Sequence, residues 1–178
     1  MDLIQTETPS AFPALCRECR FDTALIRPEE TAELVAVNVS AWRQLLTSRD
    51  PARLSRRPMT GTNSALEHAC HLWHASQDFD RVLWTELPHE GTVDQDQIQA
   101  PGFDRSNEQD PWIVAKGLEE ATTSITTRLQ GLSSRQWQHE IPWGPRLHTI
   151  ESHVNQLLHQ MVHRQHLVIL SVLDMADR

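Results

Sequence analysis

Apolar residues recur at helical spacing in four stretches of the chain. The first opens at Arg27-Pro28-Glu29-Glu30, where proline suits the first turn and carboxylates favour the positive end of a helix. Leu34, Ala41, Trp42, Leu45 and Leu46 make its stripe, and Ser48-Arg49-Asp50-Pro51 ends it. The second runs from about Ser64 to Leu87, with Leu66, Ala69, Cys70, Trp73, Leu83, Trp84 and Leu87 on one face. Asp110-Pro111 starts the third, whose stripe is Val114, Leu118, Ala121, Ile125 and Leu129, with Gly131 placed to stop it. The fourth spans about Thr149 to Met175, with Ile150, Val154, Leu157, Met161, Val168 and Val172 on one side. No stretch alternates apolar and polar residues as a strand does. Pro88 to Gly102 and Trp137 to Pro145 read as long loops. Residues 1–27, with Pro9 and Pro13, show no period and read as an irregular arm. The pattern predicts an all-α, antiparallel four-helix bundle: an N-terminal arm over 1–27 and one domain over 28–178.

Charge narrows the function. With 16 basic and 24 acidic side chains the net charge is −8, which opposes binding to a phosphate backbone. Arg53, Arg56 and Arg57 are the nearest thing to a basic block, and a solvated loop accounts for them. No nucleic-acid partner is expected. The first residues, Met1-Asp2-Leu3-Ile4-Gln5, carry no basic leader, and no apolar run approaches the ~20 residues of a membrane span. Three cysteines give no disulfide framework, so the expected location is the cytoplasm. The chain has no tyrosine, no GxSxG elbow and no glycine-rich phosphate loop.

Ten histidines are many for one acidic domain. His68, His71 and His74 fall on the second helix, and His153, His159, His163 and His166 on the fourth. Residues four apart share a helix face, so His159 and His163 can bind one ion. At ~100° per residue this pair points away from the apolar stripe of its own helix, and His71 lies similarly off the second stripe. Two solvated histidine faces are the simpler account. Against it, Leu170 sits beside His159 and His163 on the wheel, and Val82 beside His71. Cys16 and Cys19 form a lone CxxC. They read as inert residues of the arm, as a redox pair, or as ligands sharing a metal with histidines folded near them. Cys70 reads as a small core side chain.

Several segments resemble a known family. Ser64-Ala65-Leu66-Glu67-His68-Ala69-Cys70-His71 resembles the start of the second helix in DinB-like bundles, and Leu158-His159-Gln160-Met161-Val162-His163 resembles their fourth-helix motif. Cys16-Arg17-Glu18-Cys19-Arg20-Phe21-Asp22, Asp94-Gln95-Asp96 and Glu108-Gln109-Asp110-Pro111 are similar to an actinobacterial branch. That superfamily includes mycothiol-dependent maleylpyruvate isomerases and bacillithiol transferases. The resemblance covers about residues 15 to 170. It departs at Asn63, where a tryptophan is common, and at Arg164, where a second histidine often follows the pair; His166 is extra.

By position the resemblance places the family's metal ligands on His71, His159 and His163. It implies a divalent ion, zinc first, with nickel and iron also suited to imidazole. An open three-histidine site would lower the pKa of a bound water to about 7 or hold a thiol as thiolate. The implied function is a metal-dependent S-transferase or isomerase that uses a low-molecular-weight thiol of the mycothiol type on a small electrophile. A hydrolase using metal-bound hydroxide needs the same ligands, and a non-catalytic metal- or ligand-binding member of the fold is the third reading. The loops around 88–107 and 138–148 would supply the pocket. Glu67, one turn before His71, is the candidate catalytic base or imidazole partner, with a salt bridge as the plainer role; Asp78 and Asp94 are weaker candidates of the same kind. Arg164 either faces water or meets an anionic substrate. The two-sided character of the fourth helix suggests a homodimer.

Overall fold

The structure, a computed structural model, describes residues 14–87, 99–143 and 146–176, without the side chains of 143, 146 and 172–176. Its helices are α1 (Thr31–Ser48), α2 (Pro51–Leu54), α3 (Ala65–Glu86), α4 (Pro111–Gln130), α5 (Ser134–Trp137) and α6 (Ile150–Ala176). The four long ones form the expected bundle. α1 and α3 each pack on both α4 and α6, so they take opposite corners.

Local chemistry sets the helix limits. A 3-10 turn, Pro28–Glu30, leads into α1, so the proline-and-carboxylate signal marks a tighter turn than the α-helix it introduces. Ser64 and Glu67 form a capping box at the start of α3: each side chain bonds the other residue's backbone N–H. The Asp110 carboxylate accepts from Trp112 N at the start of α4, beside Pro111. The stripes then meet inside. Trp42, Trp73, Phe79, Leu118, Ile125 and Leu158 are among the fully buried side chains. The Trp42 indole donates to the Met161 carbonyl at 3.2 Å and ties α1 to α6. Cys70 is fully buried with its thiol on the Ser106 carbonyl, as its place on the stripe implied.

Two regions differ from the sequence expectation. The segment between the third and fourth long helices, of which Trp137 to Pro145 was read as a loop, contains α5 and a hairpin, β1 (Glu140–Trp143) paired antiparallel with β2 (Arg146–Thr149). Four residues per strand, one of them Pro142, are too few to show alternation, although Ile141 points fully into the core. A 3-10 helix, Phe103–Glu108, forms in the connection before α4 and covers part of α3. Among the described residues no helix is long and apolar enough to cross a membrane.

Candidate metal centre

The arm makes a tight reversal directly over α6. Leu15 bridges Asp22 in antiparallel fashion, Cys16 N donates to Phe21 O at 2.9 Å, and Arg20 N donates to Cys16 O at 3.0 Å. Closing so short a loop puts Arg20 at φ 62°, a left-handed conformation that is uncommon for a residue with a Cβ. Both thiols of the CxxC are thereby turned to one side. On α6, His159 and His163 stand one turn apart with ring centroids 5.4 Å from each other. The donor atoms of Cys16, Cys19, His159 and His163 all lie within 4.8 Å of one another. Cys16 Sγ is 3.7 Å from His163 Nδ1. Around a tetrahedral zinc, with Zn–S about 2.3 Å and Zn–N about 2.0–2.1 Å, a sulfur and a nitrogen are separated by about 3.5 Å.

Three further features suit these residues to a metal. His159 Nε2 is buried and has no hydrogen-bond partner among the described residues, a position that costs about 1–3 kcal/mol unless something meets it. His163 directs Nδ1 at Cys16 and has Nε2 3.5 Å from the Glu18 carboxylate, an arrangement that would leave Nδ1 free as a ligand. Burial, then the neighbouring His163, lowers the His159 pKa, so this imidazole is neutral at physiological pH. The backbone amides of Cys19 and then Glu18 lower the Cys16 pKa toward the thiolate, whereas burial raises that of Cys19. The Phe21 ring stacks on His159 at 6.0 Å and covers one side of the cluster.

His71 is placed elsewhere. It lies on α3 with its Nδ1 3.4 Å from Arg164 Nη1, and it is not one of the four clustered donors. Glu67 is 6% exposed and its carboxylate is engaged twice, by Arg57 and by the Ser64 amide. The Arg57 hydrogen bonds hold its pKa at about 2, well below the usual carboxylate range. Asp78 pairs with Arg81 on the surface, and Asp94 lies outside the described residues. Cys16 and Cys19 were legible as donors but not as partners of α6, because 147 positions separate Cys16 from His163.

Glu67 gives a pH prediction. Its folded-state pKa is depressed from the ordinary 4.5 to about 2. Its contribution to stability is therefore present above pH ~4.5 and lost as pH falls through 2. Glu67→Gln should cost roughly 1–3 kcal/mol at pH 7, the half-exposed Arg57 keeping it below the full linkage value. Urea midpoints measured from pH 7 to pH 2 should converge for the two proteins; a constant gap would mean the ion pair is not the cause.

A family model described as the DinB superfamily matches residues 36–167. The chain belongs to that superfamily. Two solved structures share the fold, a mycothiol-dependent maleylpyruvate isomerase and a histidine-to-alanine mutant of it, with TM-scores of 0.57 and 0.58. Each is 15% identical to this chain, and the alignment covers 80% of this chain and 61% of the isomerase chain. This chain thus aligns with about three fifths of those proteins' length. Among curated proteins, none matches it in sequence.

Proposed function

We propose that this chain is a zinc-binding member of the DinB superfamily, and that Cys16, Cys19, His159 and His163 hold the ion. The observation that carries this is the convergence of four donors from two distant segments within 4.8 Å. Two sulfurs and two imidazole nitrogens suit zinc and exclude the hard cations calcium and magnesium. Four protein donors complete a tetrahedral shell, which is the mark of a structural site. The ion would fasten the arm to α6. In this reading His71 is not a ligand, and Glu67 serves as helix cap and ion-pair partner rather than base.

Elemental analysis of the purified protein tests the proposal: about one zinc per chain is expected. Replacing zinc by cobalt should add thiolate-to-metal charge-transfer absorption in the near ultraviolet. A site of His71, His159 and His163 would bind cobalt without that absorption, so the spectrum separates the two ligand sets.

A second reading is catalytic. The shared bundle with mycothiol-dependent maleylpyruvate isomerase favours thiol-dependent transfer or isomerisation of a small electrophile. A thiol-consumption screen with mycothiol, bacillithiol and glutathione against simple electrophiles tests it. Turnover lost in His71→Ala at unchanged zinc content would support chemistry on the α3 side of α6. No consumption of any of the three thiols would count against it.

The homodimer, in a cytoplasmic setting, belongs to the same proposal. The arm covers His159 and His163, which among the described residues leaves Ile169 and Leu170, each about half exposed, as the apolar part of the outer face of α6. Sedimentation should show twice 20.4 kDa, and Leu170→Glu should return the protein to monomer. A parent that stays at 20.4 kDa at high concentration ends the dimer proposal.

A further inference from the structure

Arg164 follows His163, so its side chain leaves α6 about 100° away from the clustered donors. It reaches α3. Its Nη1 lies 3.3 Å from His68 Nδ1 and 3.4 Å from His71 Nδ1. A guanidinium has no acceptor atom, so both imidazoles must present an unprotonated Nδ1 and carry their proton on Nε2. Both are neutral: burial, then Arg164, lowers their pKa values, that of His68 to about 4. Two neutral acceptors hold the group but cancel none of its charge.

The missing element is a counter-ion. Arg164 is half-buried, and among the described residues no carboxylate lies within 4.0 Å of it. Acidic groups are in excess, 24 against 16, and the nearest in sequence on α3, Glu67, is committed to Arg57. Withdrawing a guanidinium from water without a compensating charge is unfavourable. Its Nε and Nη2 hydrogens have no partner among the described residues, and they form one edge of the planar fork that meets a carboxylate through two parallel hydrogen bonds. His68 and His71 fix Nη1 and so orient that edge in advance. On His71, one of the two imidazoles that hold Arg164, packs Phe103, 63% exposed, with its ring edge-on to His71 at 5.0 Å and tilted against His74 at 4.4 Å. A large exposed apolar ring one imidazole away from a cation that has no counter-ion among the described residues matches a ligand with a charged end and a carbon body.

We infer that Arg164, positioned by His68 and His71 and flanked by Phe103, binds the carboxylate of a small organic acid. A single guanidinium between neutral imidazoles balances one negative charge. A phosphate carries more than one at neutral pH, about 1.5, which one guanidinium does not balance. The inference does not depend on the zinc proposal, because none of these four side chains is among the clustered donors.

Calorimetric titration of the purified protein with benzoate, acetate and inorganic phosphate provides the test. Benzoate should bind saturably at one site per chain, acetate more weakly, and phosphate at least tenfold more weakly than benzoate. Arg164→Gln should weaken benzoate at least tenfold at unchanged zinc content, with Arg164→Lys between the two because lysine cannot pair bidentately. Phe103→Ala, at an exposed position that the fold does not need, should weaken benzoate several-fold and leave acetate unchanged. Absence of saturable carboxylate binding to the parent overturns the inference, as does benzoate affinity unaltered by Arg164→Gln or by Phe103→Ala. Phosphate binding as tight as benzoate overturns the carboxylate assignment. If Arg164→Gln does not fold, the parent titrations and Phe103→Ala decide the matter.

Discussion

Cys16→Ala, Cys19→Ala, His159→Ala and His163→Ala should each lower bound zinc from about one per chain to a small fraction of that, with the bundle still folded. The reasoning sets the size of two effects. A structural zinc in a small peptide site contributes about 10–16 kcal/mol of apparent binding free energy, and loss of one of four donors removes a large part of it. The bundle core lies elsewhere. Trp42, Trp73, Phe79 and their neighbours are buried among α1, α3, α4 and α6, while among the described residues of the arm only Phe21 and Ile26 pack, partly buried, against that core. Metal loss should therefore free the arm without unfolding the helices. Far-ultraviolet circular dichroism should barely change, and limited proteolysis should begin to cut between residues 14 and 27. His74→Ala and His139→Ala, outside the cluster, should keep full metal content. Four ligand variants that all retain zinc would remove the basis of the proposed site.

Gly117→Ala should destabilise the protein by about 3 kcal/mol or more, although helix propensity alone predicts a gain of about 0.8–1 kcal/mol for this change. Gly117 lies within α4, buried, and a Cβ built on it would come 2.1 Å from Cζ2 of Trp73. The obstacle is a rigid indole, itself 1% exposed, and not the tip of a flexible chain. Either α3 and α4 separate or the ring leaves its place. Overpacking of this kind typically costs 1–3 kcal/mol and occasionally more, and here the overlap involves three ring atoms. Packing should thus outweigh propensity. A double variant, Trp73→Phe with Gly117→Ala, should recover much of the loss, because the smaller ring vacates the overlapping volume. Denaturant midpoints for the two single variants and the double variant measure this coupling directly. A stabilised Gly117→Ala would show that the two helices are not in such close contact.

The parts of the fold that local chemistry dictates were legible in the sequence. The starts placed at about Ser64 and at Asp110-Pro111 were right within a residue or so, since a cap is a contact between neighbours in the chain. The stripes of α3 and α6 were readable for the same reason. The hairpin was not, because Glu140–Trp143 and Arg146–Thr149 are too short for a period of two to declare itself. The cluster was half legible. Two short motifs, CxxC and HxxxH, each announced a pair of donors, but nothing in either motif says that the arm folds onto α6. The wheel showed that His159 and His163 face away from the stripe; it could not show that the arm, and not solvent or a partner, covers them. The contact of His71 with Arg164 depends on how α3 is rotated against α6, a property of the whole bundle.

The clasp between the arm and α6 has a temporal consequence. Its two halves lie far apart in the sequence, 147 positions for Cys16 and His163. During synthesis the arm emerges before α6 and must wait for the helices between them before its histidines exist. An ion on all four donors would therefore be acquired only after α6 is made, and it would close the stretch between the two segments into a ring. By the loop-closure relation for cross-links, a ring of this size withdraws about 5 kcal/mol of freedom from the unfolded chain. Metal supply would then act as a checkpoint on the bundle: a chain stopped before α6 keeps a loose, protease-accessible arm, and only one that contains α6 can lock it down.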